Sequence, residues 1–431
     1  MPMNSVSSLV SSSASSSASS SASSSASSSA SPASSSASSL ASSSASPASS
    51  LASSSASSST SGQLEKTHLR LGFVALSDAA PLVAAKLLEF GHAHGLTLEL
   101  SRQPSWAAVR DKLLSGDLDA AHTLYGLVYG VQLGLGGPQT DMAVLMVLNR
   151  NGQAVTLSNR LADALAAHGT LPKALAALGR KPVFAQTFPT GTHAMWLHYW
   201  LAAQGVHPLR DVESVVIPPP QMVAALAEDG LDGLCVGEPW NAMAEAQGVG
   251  RTVAYTSEVW PDHPEKVLAC RRDFVDQNPN TARALVRTML EACRWLDGPG
   301  HRHEIARWLA RPEFIGIDEA LIAARFGDAI PESVPHGLPV RFFDDGAVNY
   351  PQPFEGAWFL TQFERWGMID ARADYAQIAE RINQTQLYRE AAAQVKVAVP
   401  AQETTQRFMD GATWNSTTPA TGFARSFPIH R

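Results

Sequence analysis

Two stretches of this 431-residue chain follow one plan, and that repetition limits the possible folds more than any other feature. SWAAVRDKLLSGDLDAAHTL (105–124) and PQMVAALAEDGLDGLCVGEPW (220–240) each read as helix, turn and strand. In both, a Leu is followed five places on by Leu-Asp and a small residue: Leu113 to Leu118-Asp119-Ala120, and Leu226 to Leu231-Asp232-Gly233. Val109, Leu113 and Leu114 share a helix face, and Gly116 supplies the stop. A unit used twice at this separation points to two similar lobes; chance similarity of two helix–turn–strand units is the plainer alternative.

The flanking sequence supplies the sheets. LRLGFVAL (69–76) is an apolar run, PLVAAKLLEFGHAHG (81–95) has helical spacing, and LTLEL (96–100) alternates like a strand. Pro81 opens that helix and Gly95 closes it. Strand, helix, strand with short links is the grammar of a parallel or mixed sheet. GQAVTLS (152–158) and KPVFAQ (181–186) are further strands, a helix starts at Thr192, and residues 281–325 and 375–395 are rich in helix. The expected organisation is two α/β lobes, the second inserted into the first. Lobe 1 takes residues 68–152, lobe 2 takes 153–257, and 258–395 return to lobe 1 with the C-terminal helices; 396–431 form an irregular tail.

Residues 1–62 are almost only Ser and Ala. Such a segment lacks the apolar surface to offset its ordering entropy, so a disordered tail is expected. It has neither the basic start nor the apolar core of an export signal, and no cysteine precedes Cys235. No apolar run approaches the ~20 residues of a membrane span. The three cysteines form no CxxC pair. These features predict a cytoplasmic protein without a membrane span. The net charge of −7 argues against a nucleic-acid surface, so no direct nucleic-acid partner is expected.

Candidate chemistry is sparse. QTFPTGTHAMWLHYW (186–200) sets Gly191, Thr192 and His193 at a helix start, where exposed N–H groups and the helix dipole favour an anion. Thr192 equally suits an N-cap, which accounts for the pattern without a ligand. Met195, Trp196, Tyr199 and Trp200 already form an apolar stripe, leaving His193 the more suggestive residue. Trp106 suits a core, Gln153 a turn that presents an amide, and Lys266 in HPEKVLAC an ordinary surface cation. GxSxG, HExxH, phosphate-loop and dinucleotide motifs are absent. Glu238 beside His193 would make an acid–base pair without a nucleophile, and the His-x-His of HRHE (301–304) precedes a helix. No enzyme, cofactor or metal site is expected.

Four segments together carry a resemblance: SWAAVRDKLLSGDLDAAH, NRNGQAVTLSN, TFPTGTHAMWLHYWLAAQGVHPLRDV and PPPQMVAALAEDGLDGLCVGEPWN, followed by HPEKVL. In this order they resemble the substrate-binding proteins of the nitrate/bicarbonate ABC-transporter family, from about Leu69 to Arg325. The resemblance implies a two-lobed periplasmic-binding-protein-like fold of type II, closing on a small oxyanion. It places ligand contacts at Trp106, Gln153, His193 and Lys266, with Gly191, Thr192 and Glu238 shaping the cleft. A lysine at 266 suits a lone monoanion; the resemblance implies that the bicarbonate relatives replace it with an acidic group that helps hold a metal. Within the family, the chain is most similar to the cytoplasmic nitrate/nitrite sensors of the NasS type. That branch implies nitrate or nitrite as ligand and a NasT-type RNA-binding antitermination regulator as protein partner. The alternative is a nitrate transporter's substrate-binding component.

Overall fold

The computed structural model describes residues 62–326, 338–372, 374–400 and 405–431. The expected Ser/Ala tail, apart from Gly62, lies outside the described residues.

Two five-stranded mixed sheets organise the chain. The first receives β1 (His68–Val74), β2 (Thr97–Gln103), β3 (Ala120–Leu124) and β4 (Met142–Val147), linked by α1 (Ala80–Leu87), α2 (Trp106–Ser115) and α3 (Tyr125–Gln132). The chain then crosses into β5 (Gln153–Ser158), α4 (Asn159–His168), α5 (Leu171–Ala177), β6 (Val183–Gln186), α6 (Thr192–Ala203), β7 (Glu213–Val216), α7 (Pro219–Ala227), β8 (Gly233–Gly237), α8 (Trp240–Ala246) and β9 (Gly250–Tyr255). It returns through α9 (Thr256–Val259) to β10 (Lys266–Arg271) in the first sheet. Strand orders are β2-β1-β3-β10-β4 and β7-β6-β8-β5-β9. In each, a strand arriving from the other lobe occupies the fourth place and runs antiparallel to both neighbours. The repeated unit of the sequence is α2–β3 in one lobe and α7–β8 in the other, so the two-lobed periplasmic-binding-protein fold follows its duplication.

The crossings pair with one another. Leu148 N–H donates to Lys266 O (2.7 Å), Glu265 N–H to Asn149 O (3.1 Å) and Asn151 N–H to His263 O (3.1 Å). This two-stranded ribbon is the connection between the lobes, with Gln153 and Lys266 at its ends. Arg150 anchors it: its buried guanidinium donates twice to Glu355, at 2.8 and 3.1 Å, and once to Asp262 O at 2.7 Å.

Helices α10 (Arg272–Gln277), α11 (Pro279–Leu296), α12 (His301–Leu309), α13 (Glu319–Phe326), α14 (Pro353–Arg365), α15 (Tyr375–Ile382) and α16 (Thr385–Gln394) follow. Among the described residues no helix is long and apolar enough to cross a membrane.

The C-terminal segment corrects an expectation. Rather than an irregular tail, residues 405–431 hold the antiparallel pair β11 (Gln406–Arg407) and β12 (Thr413–Trp414), then α17 (Ala420–Arg425). Phe408 stacks on Tyr199 and on Trp358, with centroids 5.3 and 5.8 Å apart, and Trp414 Nε1 donates to Phe354 O at 2.7 Å. Widely spaced aromatics in a polar stretch have no period to read, yet each buries a large ring.

Candidate functional site

Each candidate side chain is delivered by an element end. Ser105 caps α2 by accepting from Ala108 N–H (3.2 Å), and Gly116, in the left-handed region at φ 82°, terminates it. That fixes Trp106 at the first helical position, with its ring wholly buried. Gln153 opens β5, Lys266 opens β10, and His193 is the second residue of α6. Helix α6 is buried from Thr192 to Ala202, as expected of a helix apolar on all sides.

The lobes meet tightly around these residues. Gly130 of α3 lies against Thr190, just before α6; a Cβ there would overlap the threonine side chain. The close approach of lobe 1 to the start of α6 therefore needs glycine at this position.

A carboxylate unnoticed in the sequence sits at the centre. Asp78, in the single 3-10 turn after β1, accepts from Lys266 Nζ at 2.7 Å and Gln153 Nε2 at 3.0 Å, both on Oδ2. Its Oδ1 accepts from His122 Nε2 of β3 at 2.8 Å. Gln153 Oε1 in turn meets His193 Nε2 at 2.7 Å, and His193 Nδ1 meets Thr187 Oγ1 at 2.7 Å. Lys266 Nζ also donates to Glu265 Oε1 at 3.0 Å and lies 5.7 Å from the Trp106 ring centroid. Glu265 collects Thr192 Oγ1 (2.5 Å) and Trp196 Nε1 (2.7 Å) as well. The Trp106 ring stands 5.5 Å from that of His122, and its indole N–H finds no partner among the described residues.

Charge in this cluster is tightly paired. Burial pushes Asp78 up, but Lys266 and His122 outweigh it and hold the carboxyl well below the usual range. Glu265 is likewise lowered, burial being outweighed chiefly by Lys266. Burial pulls Lys266 down while the two carboxylates pull it up, and the carboxylates win. The imidazoles go the other way. Burial, aided by Lys266, drives His193 to about 3, and burial drives His263 to about 4 despite Glu265. His122 is also lowered by burial, against the pull of Asp78.

The four predicted contacts thus come together, two from each lobe: Trp106 and Lys266 from lobe 1, Gln153 and His193 from lobe 2. Lys266 is not the surface cation its local sequence allows; it is fully buried. Thr192 is not an N-cap. Gly191 holds that place with no side-chain cap, Thr192 is already the first helical residue, and its hydroxyl donates to the Glu265 carboxylate, a charge-assisted bond. Glu238 lies beside the cluster through its backbone, accepting from Ser77 N–H at 2.8 Å. Its carboxylate belongs elsewhere, taking Ala242 N–H at 3.2 Å and facing Arg325 at 4.0 Å. Asp78, His122 and Glu265 were not singled out from sequence. The signals were the acid in LSDAAP after the first strand and the acid next to Lys266.

The sequence profile of the NMT1-like family matches residues 62–310. The nitrate/nitrite binding protein NrtA of Synechocystis sp. (strain PCC 6803) is 36% identical over 374 residues, covering 82% of this chain and 84% of that protein. NrtA of Nostoc sp. (strain PCC 7120) is 34% identical over 379 residues, covering 83% and 85%. The crystal structure of the periplasmic nitrate-binding protein NrtA from Synechocystis PCC 6803 superposes with a TM-score of 0.79 at 35% identity, covering 85% of this chain and all of that one.

Proposed function

The chain belongs to the NMT1-like family, and on that premise we propose that it is a cytoplasmic nitrate/nitrite sensor controlling an RNA-binding antitermination regulator of the NasT type. The observation that carries the anion is the convergence of donors from both lobes: Lys266 and the unspent Trp106 N–H from one, Gln153 and His193 from the other. Nitrate and nitrite offer only acceptors. An anion bridging these donors favours the closed arrangement over an open one, and a partner that prefers the open form is released. Changing partner affinity tenfold takes about 1.4 kcal/mol of discrimination, less than one charge-assisted hydrogen bond of roughly 1.5–3 kcal/mol supplies. The names of the relatives support nitrate as the ligand. The cytoplasmic site and the regulator rest on the resemblance to the sensor branch.

A second reading, the substrate-binding component of a nitrate transporter, is favoured by the same relatives, one of them periplasmic. Cell fractionation followed by pull-down across a nitrate titration separates the two. The sensor reading expects the protein in the cytoplasm, bound to a regulator that nitrate or nitrite dissociates. Periplasmic protein with no such partner would establish the transporter component instead.

A further inference from the structure

We propose that the anion enters this site together with one proton, and that His193 holds the proton. The inference rests on the anion-binding reading above and deepens it. The buried cluster sets one cation, Lys266, against two carboxylates, Asp78 and Glu265. With the imidazoles neutral, its net charge is already minus one before any ligand arrives. A monoanion added to side chains that are almost wholly buried doubles an uncompensated charge, which an interior of low polarity resists strongly. A proton arriving with the anion leaves the buried charge unchanged.

The hydrogen bonds say which group takes it. Gln153 Nε2 donates to Asp78, which fixes the amide so that Gln153 Oε1 faces His193 Nε2. An amide oxygen only accepts, so His193 Nε2 carries a hydrogen already and Nδ1 is bare. Thr187 Oγ1, 2.7 Å from Nδ1, donates to it. A proton from solvent then lodges on Nδ1, and the Thr187 hydroxyl turns from donor to acceptor. Both N–H groups of the imidazolium then have acceptors: Thr187 Oγ1 at Nδ1, and at Nε2 the Gln153 oxygen shared with the incoming anion.

The other titratable and charged groups facing the cluster serve less well. His122 of β3 donates from Nε2 to Asp78, and its Nδ1 has no partner among the described residues, so a proton there would create a buried unpaired donor. His263, preceding β10, has acceptors at both ring nitrogens, Pro264 O at 3.2 Å and Thr256 Oγ1 at 2.8 Å. It lies on the far side of Glu265, however, 3.6 Å from Oε2, where the Arg150 cation opposes a second proton. His193 lies 3.8 Å from the Glu265 oxygen that also holds Lys266. Cys235 of β8, the remaining titratable neighbour, is pushed up by burial and stays a neutral thiol. Burial and the Lys266 cation depress the basicity of His193, which agrees: its proton is absent until a second negative charge arrives.

The test is calorimetric titration of the full chain with sodium nitrate in cacodylate and in Bis-Tris, buffers of different ionisation enthalpy, between pH 5 and 7. The expected result is uptake approaching one proton per anion at the acid end, with affinity tightening by up to tenfold per pH unit lowered. His193→Gln should abolish the uptake while His263→Gln retains it. Binding with the same heat in both buffers throughout this range overturns the proposal, as does uptake that survives in His193→Gln. Binding that appears only when a divalent metal is added also overturns it, because a metal then supplies the missing charge. Absence of any nitrate binding by folded protein instead removes the anion-binding reading on which the inference rests.

Discussion

Gln153 Nε2 donates to Asp78 Oδ2 across 3.0 Å, and that bond ties the first residue of β5 in lobe 2 to the turn after β1 in lobe 1. It makes an internal carboxylate the acceptor for a lobe 2 donor and for Lys266 at once. An incoming anion must therefore share Gln153 and Lys266 with Asp78. Lys266 has a third N–H beyond those given to Asp78 and Glu265, and Trp106 Nε1–H has no partner among the described residues, so the sharing is possible without breaking the lobe contact.

Lys266→Met is expected to damage folding as well as binding. The change leaves Asp78 and Glu265 buried without their cation, and breaking a buried pair by removing one partner costs about 3–5 kcal/mol. Denaturant unfolding without anion should show a loss of that size, and calorimetry on the folded fraction should show nitrate binding gone. A variant as stable as the parent would mean that Lys266 does not pair the two carboxylates.

Trp106→Phe separates the two roles of its ring. The indole N–H has no partner among the described residues, so stability without anion should fall only by the packing change, about 1 kcal/mol. If that N–H donates to the anion, nitrate affinity should drop by roughly 1.5–3 kcal/mol. Unchanged affinity in calorimetry would return Trp106 to the core.

How much of this was legible depends on the kind of signal. The duplicated α2–β3 and α7–β8 units and the lobe exchange show in the sequence because Leu, Asp and Gly recur at fixed offsets, and burial enforces that spacing. Trp106, Gln153, His193 and Lys266 were named through resemblance; locally each had an ordinary explanation. Asp78 escaped because an acid after a strand reads as a helix-start or turn residue. Its role depends on Lys266, 188 positions away, which no local pattern encodes. The C-terminal pairing escaped for a similar reason, since Phe408 and Trp414 bury against α6 and α14 rather than against each other's neighbours in sequence.

Glu238 gives a pH dependence with a definite sign. Burial raises its carboxyl from the usual 4.5 to about 7, with Arg325 pulling only partly against it. A raised acid contributes stability that is full below about 4.5 and is lost as pH rises through about 7. Once ionised, the buried charge costs roughly 3 kcal/mol, since each tenfold change in proton affinity is worth about 1.4 kcal/mol. Glu238→Gln, neutral throughout, should exceed the parent in thermal stability at pH 8 and match it near pH 5. Parallel stability curves across that range would mean Glu238 is ionised in the folded protein at both ends.

Gly130→Ala tests whether closure itself carries the affinity. The added methyl of α3 would overlap Thr190 at the approach to α6, and its nearest atoms all belong to that one side chain. Alanine is at least as good as glycine within a helix, so lobe 1 should fold normally. The clash arises only when the lobes meet as they do here, and overpacking of this kind costs about 1–3 kcal/mol. That penalty falls on the closed arrangement alone. Nitrate affinity should weaken by ~5- to ~150-fold while unfolding in the absence of anion changes little. Small-angle scattering should report a larger radius of gyration at nitrate concentrations that compact the parent. In the sensor reading the same variant should keep its regulator at nitrate concentrations that release it from the parent, because the open form is the one the regulator holds. Normal affinity and normal compaction together would show that α3 and Thr190 separate easily, and that closure is not limited by this contact.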